Sequence, residues 1–377
     1  MRFFFCLDTE MRILLLSAYD AVSHQYWRKG LVNALPEHDW TVLSLPARYF
    51  SWRIRGNSLS WAFGERERLQ QPYDLVIATS MVDLTSLRGL VPSLARTPCV
   101  VYFHENQFAY PASGHEHQSV EPLILNLYNA LCADRVLFNS GYNRDTLLEG
   151  ADRLLRKLPD QVPPGLVEQI RARSEVLHVP LPEQVFLPAA PVEGPLEIVW
   201  NHRWEFDKGP ELLLAAVERL QSDRVDFRLH VVGQQFRRVP PVFEQMKRRL
   251  ESGGQLGCWG HIESTEAYRR LLQRSDVVLS TALHDFQGIA VLEAVAAGCR
   301  PVVPDRLAYR ELFAAEYRYA EQEETTALAR MLAELSAAKH RGEPIKAPEV
   351  EHLGWPALKA SWGRVIETLT QGGAPSL

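Results

Sequence analysis

Asp285 and Glu293 are two carboxylates separated by seven residues, in the stretch His-Asp-Phe-Gln-Gly-Ile-Ala-Val-Leu-Glu that ends at Glu293. The apolar residues 276–281 before them read as a buried strand, and the Ala-rich residues after Gly288 read as a helix of about three turns ending at Gly298. A polar loop therefore feeds a helix N-terminus, whose unsatisfied N–H groups attract anions. Gly288, followed by Ile289, lets a ligand come close to the main chain there. With one acid in the loop and the other about one turn inside the helix, both reach a ligand lying across the helix start. In isolation the same pattern suits a helix whose aspartate simply caps it.

Arg203 and Lys208 lie five residues apart in Trp-Asn-His-Arg-Trp-Glu-Phe-Asp-Lys-Gly-Pro, directly after an apolar run. A planar guanidinium fork and a point-charge ammonium suit a diphosphate. The competing reading is a solvated loop whose cations pair with Glu205 and Asp207. The paired acids some eighty residues later, at the corresponding sheet edge, favour the anion site.

The elements that must position these groups are short buried strands. In the first half, residues 13–16, 41–45, 75–79, 99–103 and 136–138 alternate with helical or mixed segments. In the second half, residues 197–200, 227–232, 257–259, 277–280 and 301–303 do the same. Fully apolar strands alternating with helices predict an α/β chain with parallel sheets covered on both faces, and ligands collect at the carboxyl ends of such strands. The Pro-rich residues 179–195 read as an interdomain linker. The expected division is an extension over residues 1–10, a first domain over 11–182, a linker over 183–195, a second domain over 196–350, and a C-terminal helix and tail over 351–377.

The strand-end rule selects further groups. His104 follows a buried strand and is followed by Glu105, Asn106 and Gln107; it can donate to a sugar hydroxyl, although a lone histidine is more often structural. His24 sits near the start of the first helix with Ser23 as a possible cap, and Asn139 ends the fifth strand, where acceptor contact and capping are equally open. Residues 45–61 interleave Arg48, Arg53 and Arg55 with Tyr49, Phe50, Trp52 and Trp61. Such a run could meet RNA phosphates and stack on bases, or be a half-buried helix with snorkelling arginines.

Composition excludes several classes. At 377 residues the chain has room for two domains, with 46% apolar and 23% charged residues as in ordinary globular proteins. A net charge of -5 gives no bulk attraction to nucleic acid or membrane, so a polyanion needs a local patch. Five scattered cysteines, of which Cys99, Cys132 and Cys258 lie in apolar sequence, read as small core residues of a reducing, cytoplasmic compartment. His115 and His117 are neighbours without helical spacing or an evident third ligand, so no metal site is expected. The glycine-rich turn of nicotinamide dehydrogenases, the serine elbow of hydrolases and the Cys-x-x-Cys of redox proteins are missing.

The acid pair followed by Gly298-Cys-Arg-Pro301-Val302 resembles the Glu, seven residues, Glu motif of retaining glycosyltransferases with the two-domain B fold, the first acid here being one methylene shorter. Four blocks together resemble the tRNA-queuosine mannosyltransferase family over about residues 11–370: Leu-Pro-Ala-Arg48 with Trp52-Arg53, Tyr-Phe-His104-Glu-Asn-Gln, His202-Arg-Trp-Glu-x-Asp-Lys208, and His284-Asp-Phe-x-Gly-Ile-Ala-Val-Leu-Glu-Ala294. The resemblance implies two Rossmann-like domains facing a cleft, with the last helix crossing back to the first domain. It also implies GDP-mannose as donor, the queuosine of the tRNA-Asp anticodon as acceptor, retention at the anomeric carbon, and no metal or other cofactor. Arg203 and Lys208 then hold the diphosphate, with Gly288 and Ile289 beside it, and Glu293 holds the ribose. His104 and Asp285 orient the transferred sugar. The acceptor falls to His24, Arg48, Trp52, Arg53, Arg55, Asn106 and Asn139. Two rivals stand beside this reading: transfer to a lipid, small molecule or polysaccharide, and a non-catalytic nucleotide-sugar or RNA-binding module.

Overall fold

The structure, a computed structural model, describes residues 10–110, 119–158, 160–236 and 239–371. The expected extension, except Glu10, and the pair His115 and His117 lie outside the described residues. The chain forms two compact units, Met1–Pro180 with Trp355–Leu377, and Leu181–Gly354.

The first unit holds a parallel sheet of β1 (Arg12–Asp20), β2 (Asp39–Pro46), β3 (Leu75–Thr79), β4 (Cys99–Phe103), β5 (Arg135–Phe138) and β6 (Ser174–Val176), in the order β2-β1-β3-β4-β5-β6. Side chains alternate between faces, as the two-residue period requires. Leu14, Leu16, Val76, Val101, Phe103, Val136 and Phe138 join one core. On the other face Tyr102 stacks on Trp27 with ring centroids 4.6 Å apart, and Trp362 packs against both rings at 5.2 and 5.6 Å. Trp362 belongs to the last helix, Trp355–Gln371, so that helix returns to the first unit, as the resemblance implied. Its fully buried indole supplies much of the apolar area that fixes it there.

The second unit holds β7 (Leu196–Trp200), β8 (Phe227–Val232), β9 (Leu256–Gly260), β10 (Val277–Leu279), β11 (Arg300–Pro304) and β12 (Arg318–Tyr319), ordered β12-β11-β10-β7-β8-β9 and all parallel. This is the doubly wound order in which the strand sequence reverses between the first and fourth strands of the unit, here β7 and β10. Val199, Val232, Val278 and Val303 pack in one core, while Ile198, Val231, Val277 and Val302 pack in the other.

Two short edge strands, β6 and β12, escape the sequence reading, because three and two residues carry no usable period. The Pro-rich passage is not a free linker. Leu181 bridges to Gly354, and Leu181, Val185 and Leu187 pack into the second unit, because prolines remove backbone donors without preventing apolar side chains from burying. The boundary between units therefore falls at Pro180 and Leu181 rather than over residues 183–195, and the return falls at Gly354 and Trp355 rather than at residue 351.

Candidate functional site

In the second unit the residues after β7 and β10 meet because these strands are hydrogen-bonded neighbours at the reversal of strand order. After β7 the chain makes a short turn, Phe206–Lys208, and Gly209 takes φ 63° to start the helix Pro210–Ser222. A Cβ on Gly209 would sit 2.1 Å from the Thr281 carbonyl oxygen, so the two loops touch only because a glycine stands there. Trp200 Nε1 donates to Thr281 Oγ1 (3.0 Å), which donates to the Lys208 carbonyl (2.8 Å). The Asp207 carbonyl accepts from the N–H groups of Leu283 (2.9 Å) and His284 (3.2 Å).

On this frame the charged groups gather. Lys208, buried, donates from Nζ to the His284 carbonyl at 2.6 Å and lies 3.4 Å from Asp207 and 3.6 Å from Asp285. Arg203 pairs with Glu205 at 2.7 Å and lies 3.5 Å from the same Asp207 carboxylate. The cations do pair with the neighbouring acids, as the competing reading expected. The loop is not fully solvated, however: Asp207 and Lys208 are buried, while Arg203, Glu205 and Phe206 reach toward solvent. Burial alone would raise the Asp285 carboxyl, but Lys208, with His202 and His284 nearby, holds it below the usual range. Burial and the Lys208 charge push both His202 and His284 down to about 4, so both imidazoles are neutral at physiological pH. Burial beside Asp207 raises the Glu205 carboxyl despite Arg203.

Asp285 has two tasks. One oxygen accepts the Gly288 N–H at 2.9 Å; the other faces Lys208 and accepts from the Tyr309 hydroxyl at 3.3 Å. Gly288 sits at φ 73°, and a Cβ there would lie 2.8 Å from the Tyr309 ring. The helix it opens is Ile289–Ala296, eight residues rather than three turns, because Gly298 leaves the right-handed region at φ 101°. Glu293, half-buried on that helix, is pushed up to about 7 by burial, with Arg269 only partly opposing. Beside it, Asn201 Nδ2 donates to Tyr268 Oη (2.9 Å) and to the Ala290 carbonyl (2.7 Å). Asn201 and Tyr268, with Val232, Gln234, His261 and Thr265, line a hollow of about 210 Å³. Sequence reasoning named Asp207 only as a partner for the cations, and it missed Tyr309, Tyr268 and this hollow. Asp207 was visible between Arg203 and Lys208, but Tyr309 and Tyr268 sit in helices with no motif around them.

In the first unit, His104 is buried at the end of β4 with Trp27, Tyr102 and His24 around its ring. Its Nε2 has no hydrogen-bond partner among the described residues. Burial and the neighbouring His24 hold it well below its ordinary value, so it is neutral. His24 lies edge-on at 4.3 Å and places Nε2 3.2 Å from Glu105, whose charge raises His24 although burial opposes this. Ser23 does not cap: the helix Val22–Ala34 starts after Ala21 with no side-chain cap. Asn106 Nδ2 donates to the Asn143 carbonyl and side chain and to Thr146 Oγ1, each at 2.9 Å, while Oδ1 accepts from Phe108 and Ala109. Asn139 donates to the His104 carbonyl (2.8 Å) and accepts from Asn143 (2.8 Å). Both amides are spent inside the unit, so they position the loops where acceptor contact was expected; Ser140 is the cap, accepting the Asn143 N–H at 3.0 Å.

The aromatic and arginine run is the helix Phe50–Gly64, and it splits. Trp61 is core, not a stacking face. Arg53 is 7% exposed, and its Nε has no partner among the described residues. Arg55 pairs with Asp83 and Glu121, both at 3.2 Å. Tyr49 (74%) and Trp52 (57%) are exposed, with the Arg48 guanidinium 5.8 Å from the Tyr49 ring centroid. Among the described residues no cluster of three metal-ligating side chains occurs, and no helix is long and apolar enough to cross a membrane.

Residues 12–181 match the family described as tRNA-queuosine alpha-mannosyltransferase N-terminal, and residues 188–346 match glycosyl transferases group 1. A tRNA-queuosine alpha-mannosyltransferase of Drosophila melanogaster is 33% identical over 317 residues, covering 81% of this chain and 83% of that protein. A glycogen synthase of Mycobacterium tuberculosis is 26% identical over 154 residues, 41% of this chain and 36% of that one. Among solved structures, sucrose-phosphate synthase from Thermosynechococcus elongatus superposes with a TM-score of 0.66 at 14% identity, covering 96% of this chain and all (100%) of that one. The lipopolysaccharide outer core galactosyltransferase WaaB gives 0.61 at 12% identity, covering 95% of this chain and 99% of that one; at such identities the likeness speaks for the fold. With both halves of its sequence accounted for, and its charged loops set at the strand reversal of the second unit, the chain belongs to the tRNA-queuosine α-mannosyltransferase family and is a glycosyltransferase of the GT-B fold.

Proposed function

We propose that this chain, acting in the cytoplasm, moves mannose from GDP-mannose to queuosine in the anticodon of tRNA-Asp, with retention at the anomeric carbon. The observation that carries the reading is the Arg203, Lys208 and Asp285 cluster at the β7 and β10 ends, in a chain whose relative is a tRNA-queuosine α-mannosyltransferase.

In this reading the diphosphate displaces Glu205 from Arg203 and takes Lys208 as its second cation. The two positive groups stabilise the charge that grows on the leaving phosphate, which is where electrostatic help lowers the barrier. They supply that charge without a metal or other cofactor. The Gly288 turn and the Ile289 N–H face the diphosphate, Glu293 accepts the ribose hydroxyls, and the hollow beside Asn201 and Tyr268 takes the base. Asp285, ionised and fixed by Gly288 and Tyr309, holds a hydroxyl of the transferred sugar; in the first unit His104, neutral with Nε2 unbonded among the described residues, is open to a hydroxyl. The donor's own phosphate takes the acceptor's proton in a front-face displacement, so no side chain becomes a covalent nucleophile. Tyr49 and Trp52 stack on loop bases while exposed Arg48 meets phosphates; Arg53, being buried, is not placed to meet them as the sequence suggested. Arg55, His24, Asn106 and Asn139 act by holding these elements in place.

The test is to incubate the protein with queuosine-containing tRNA and, separately, GDP-mannose and UDP-sugars, then to weigh the nucleosides by mass spectrometry. A hexose added to queuosine from GDP-mannose alone supports the reading. Transfer from UDP-sugars only, or none, removes it.

A further inference from the structure

Cys99 opens β4 and Cys132 ends the helix Glu121–Cys132, and one nitrogen joins them: Arg88 Nη1 lies 3.0 Å from Cys99 Sγ and 3.5 Å from Cys132 Sγ. The same nitrogen donates to the Cys132 carbonyl at 3.2 Å, while Nη2 donates to the carbonyls of Ala95 and Thr97. The guanidinium is thus tied to three backbone oxygens and cannot leave the sulphurs. Cys99 Sγ donates to the Cys132 carbonyl at 3.4 Å, so both thiols gather around the same guanidinium nitrogen. Asp134 accepts the Cys99 N–H at 2.8 Å, and Arg173 donates to the carbonyls of Leu131 and Ala133 on either side of Cys132. Cys99 is buried and Cys132 half-buried, so only one sulphur meets solvent.

None of this is needed for sugar transfer. The pair sits at the amino end of β4, the strand whose carboxyl end carries His104. We propose that Cys99 and Cys132 are a peroxide-oxidisable dithiol, with Cys132 as the attacking thiolate and Cys99 as the resolving thiol.

Two opposed effects decide which sulphur ionises. A helix C-terminus disfavours an anion at Cys132, but its last carbonyls are covered by Arg88 and Arg173. The neighbouring Cys99 thiol and the Arg88 charge then bring Cys132 down to about 6, while Cys99, beside that thiolate and buried, moves well up. In the first step the Cys132 thiolate attacks a peroxide oxygen; the S–O bond forms, the O–O bond breaks, and the departing hydroxide takes a proton to become water. In the second, Cys99 loses its proton and attacks the sulfenic sulphur; the S–S bond forms and the S–O bond breaks, releasing a second water. Two thiols are oxidised and one peroxide is reduced.

The experiment follows iodoacetamide alkylation of each cysteine across pH 5 to 9 by peptide mass spectrometry, with exposed Cys258 as the internal reference. Cys132 should reach half its maximal rate near pH 6, below the roughly 8.5 of a free thiol. Stoichiometric hydrogen peroxide should yield a Cys99–Cys132 cross-linked peptide that dithiothreitol releases. In Cys99→Ser the hydroxyl replaces the thiol donor but cannot resolve the sulfenic acid, so dimedone should label Cys132 there and not in the parent. Cys132 reaching half its maximal rate only at the roughly 8.5 of a free thiol, refusing alkylation, or staying unlinked after peroxide would each overturn the proposal.

Discussion

Lys208 Nζ lies 3.6 Å from Asp285 Oδ2, although the two residues belong to different strand-helix loops. The contact exists because β7 and β10 are parallel neighbours where strand order reverses, and a glycine at position 209 lets the loops touch. It makes one ammonium answer to two carboxylates, Asp207 and Asp285, and so places a buried positive charge at the mouth of the second unit's sheet.

Glu205 restrains Arg203 through a half-exposed pair, and such pairs are worth about 0–1 kcal/mol. Glu205→Gln should therefore tighten GDP binding by at most about fivefold in calorimetry, with the gain shrinking as salt is added. Weaker GDP binding in this variant would mean that Glu205 orients Arg203 rather than competing for it.

Glu293 titrates near 7 because it is buried without a strong counter-charge. If its carboxylate accepts ribose hydroxyls, GDP affinity should climb as pH rises through 7 and level off above it, and Glu293→Gln should flatten that slope. Stability runs the other way. A carboxyl raised on folding stabilises below its unfolded value near 4.3, and that contribution is lost as pH rises through the folded value. The melting temperature of Glu293→Gln relative to the parent should thus be higher at pH 8 than at pH 5. Equal offsets at the two pH values would show that the group is not strained by ionisation.

Gly288→Ala forces a side chain into a left-handed backbone and against the Tyr309 ring. The expected loss is about 1–3 kcal/mol by denaturant unfolding, together with weaker GDP binding as Tyr309 and Asp285 shift. Unchanged stability and affinity would mean that the turn relaxes without consequence.

Trp52 and Trp61 stand on the same helix and should separate cleanly. Trp61→Ala removes a core side chain and should cost about 3–5 kcal/mol. Trp52→Ala removes an indole already 57% exposed and should spare stability but weaken tRNA binding by about 1–3 kcal/mol. Arg48→Glu should reduce the salt dependence of that binding. Full tRNA affinity in both the Trp52 and Arg48 variants would move the acceptor surface elsewhere.

Much of this was legible because strands and motifs leave local marks. Ten apolar runs gave ten of the twelve strands among the described residues, and the spacing of Arg203, Lys208, Asp285 and Glu293 marked the charged loops before their contacts were known. What escaped depends on packing between distant segments. Tyr309 meets Asp285 only through the neighbouring strand β11, and Asn106 and Asn139 looked available because a sequence does not show that Asn143 consumes them. The cations and rings of the helix Phe50–Gly64 could not be sorted without knowing which face is covered: Trp61 went inward, Trp52 outward, and Arg53 was buried without its expected snorkel. Cys258, expected in the core, is exposed on β9, because its apolar neighbours alternate inward around it.

The account rests on Arg203 and Lys208 carrying the charge of the departing diphosphate. Its most direct test is single-turnover transfer to queuosine-containing tRNA from saturating GDP-mannose, read as hexosylated nucleoside by mass spectrometry, for the parent, Arg203→Ala and Lys208→Ala. Each variant should retain its fold and lose about 10²–10³ in rate. Transfer at the parental rate in both would contradict the account.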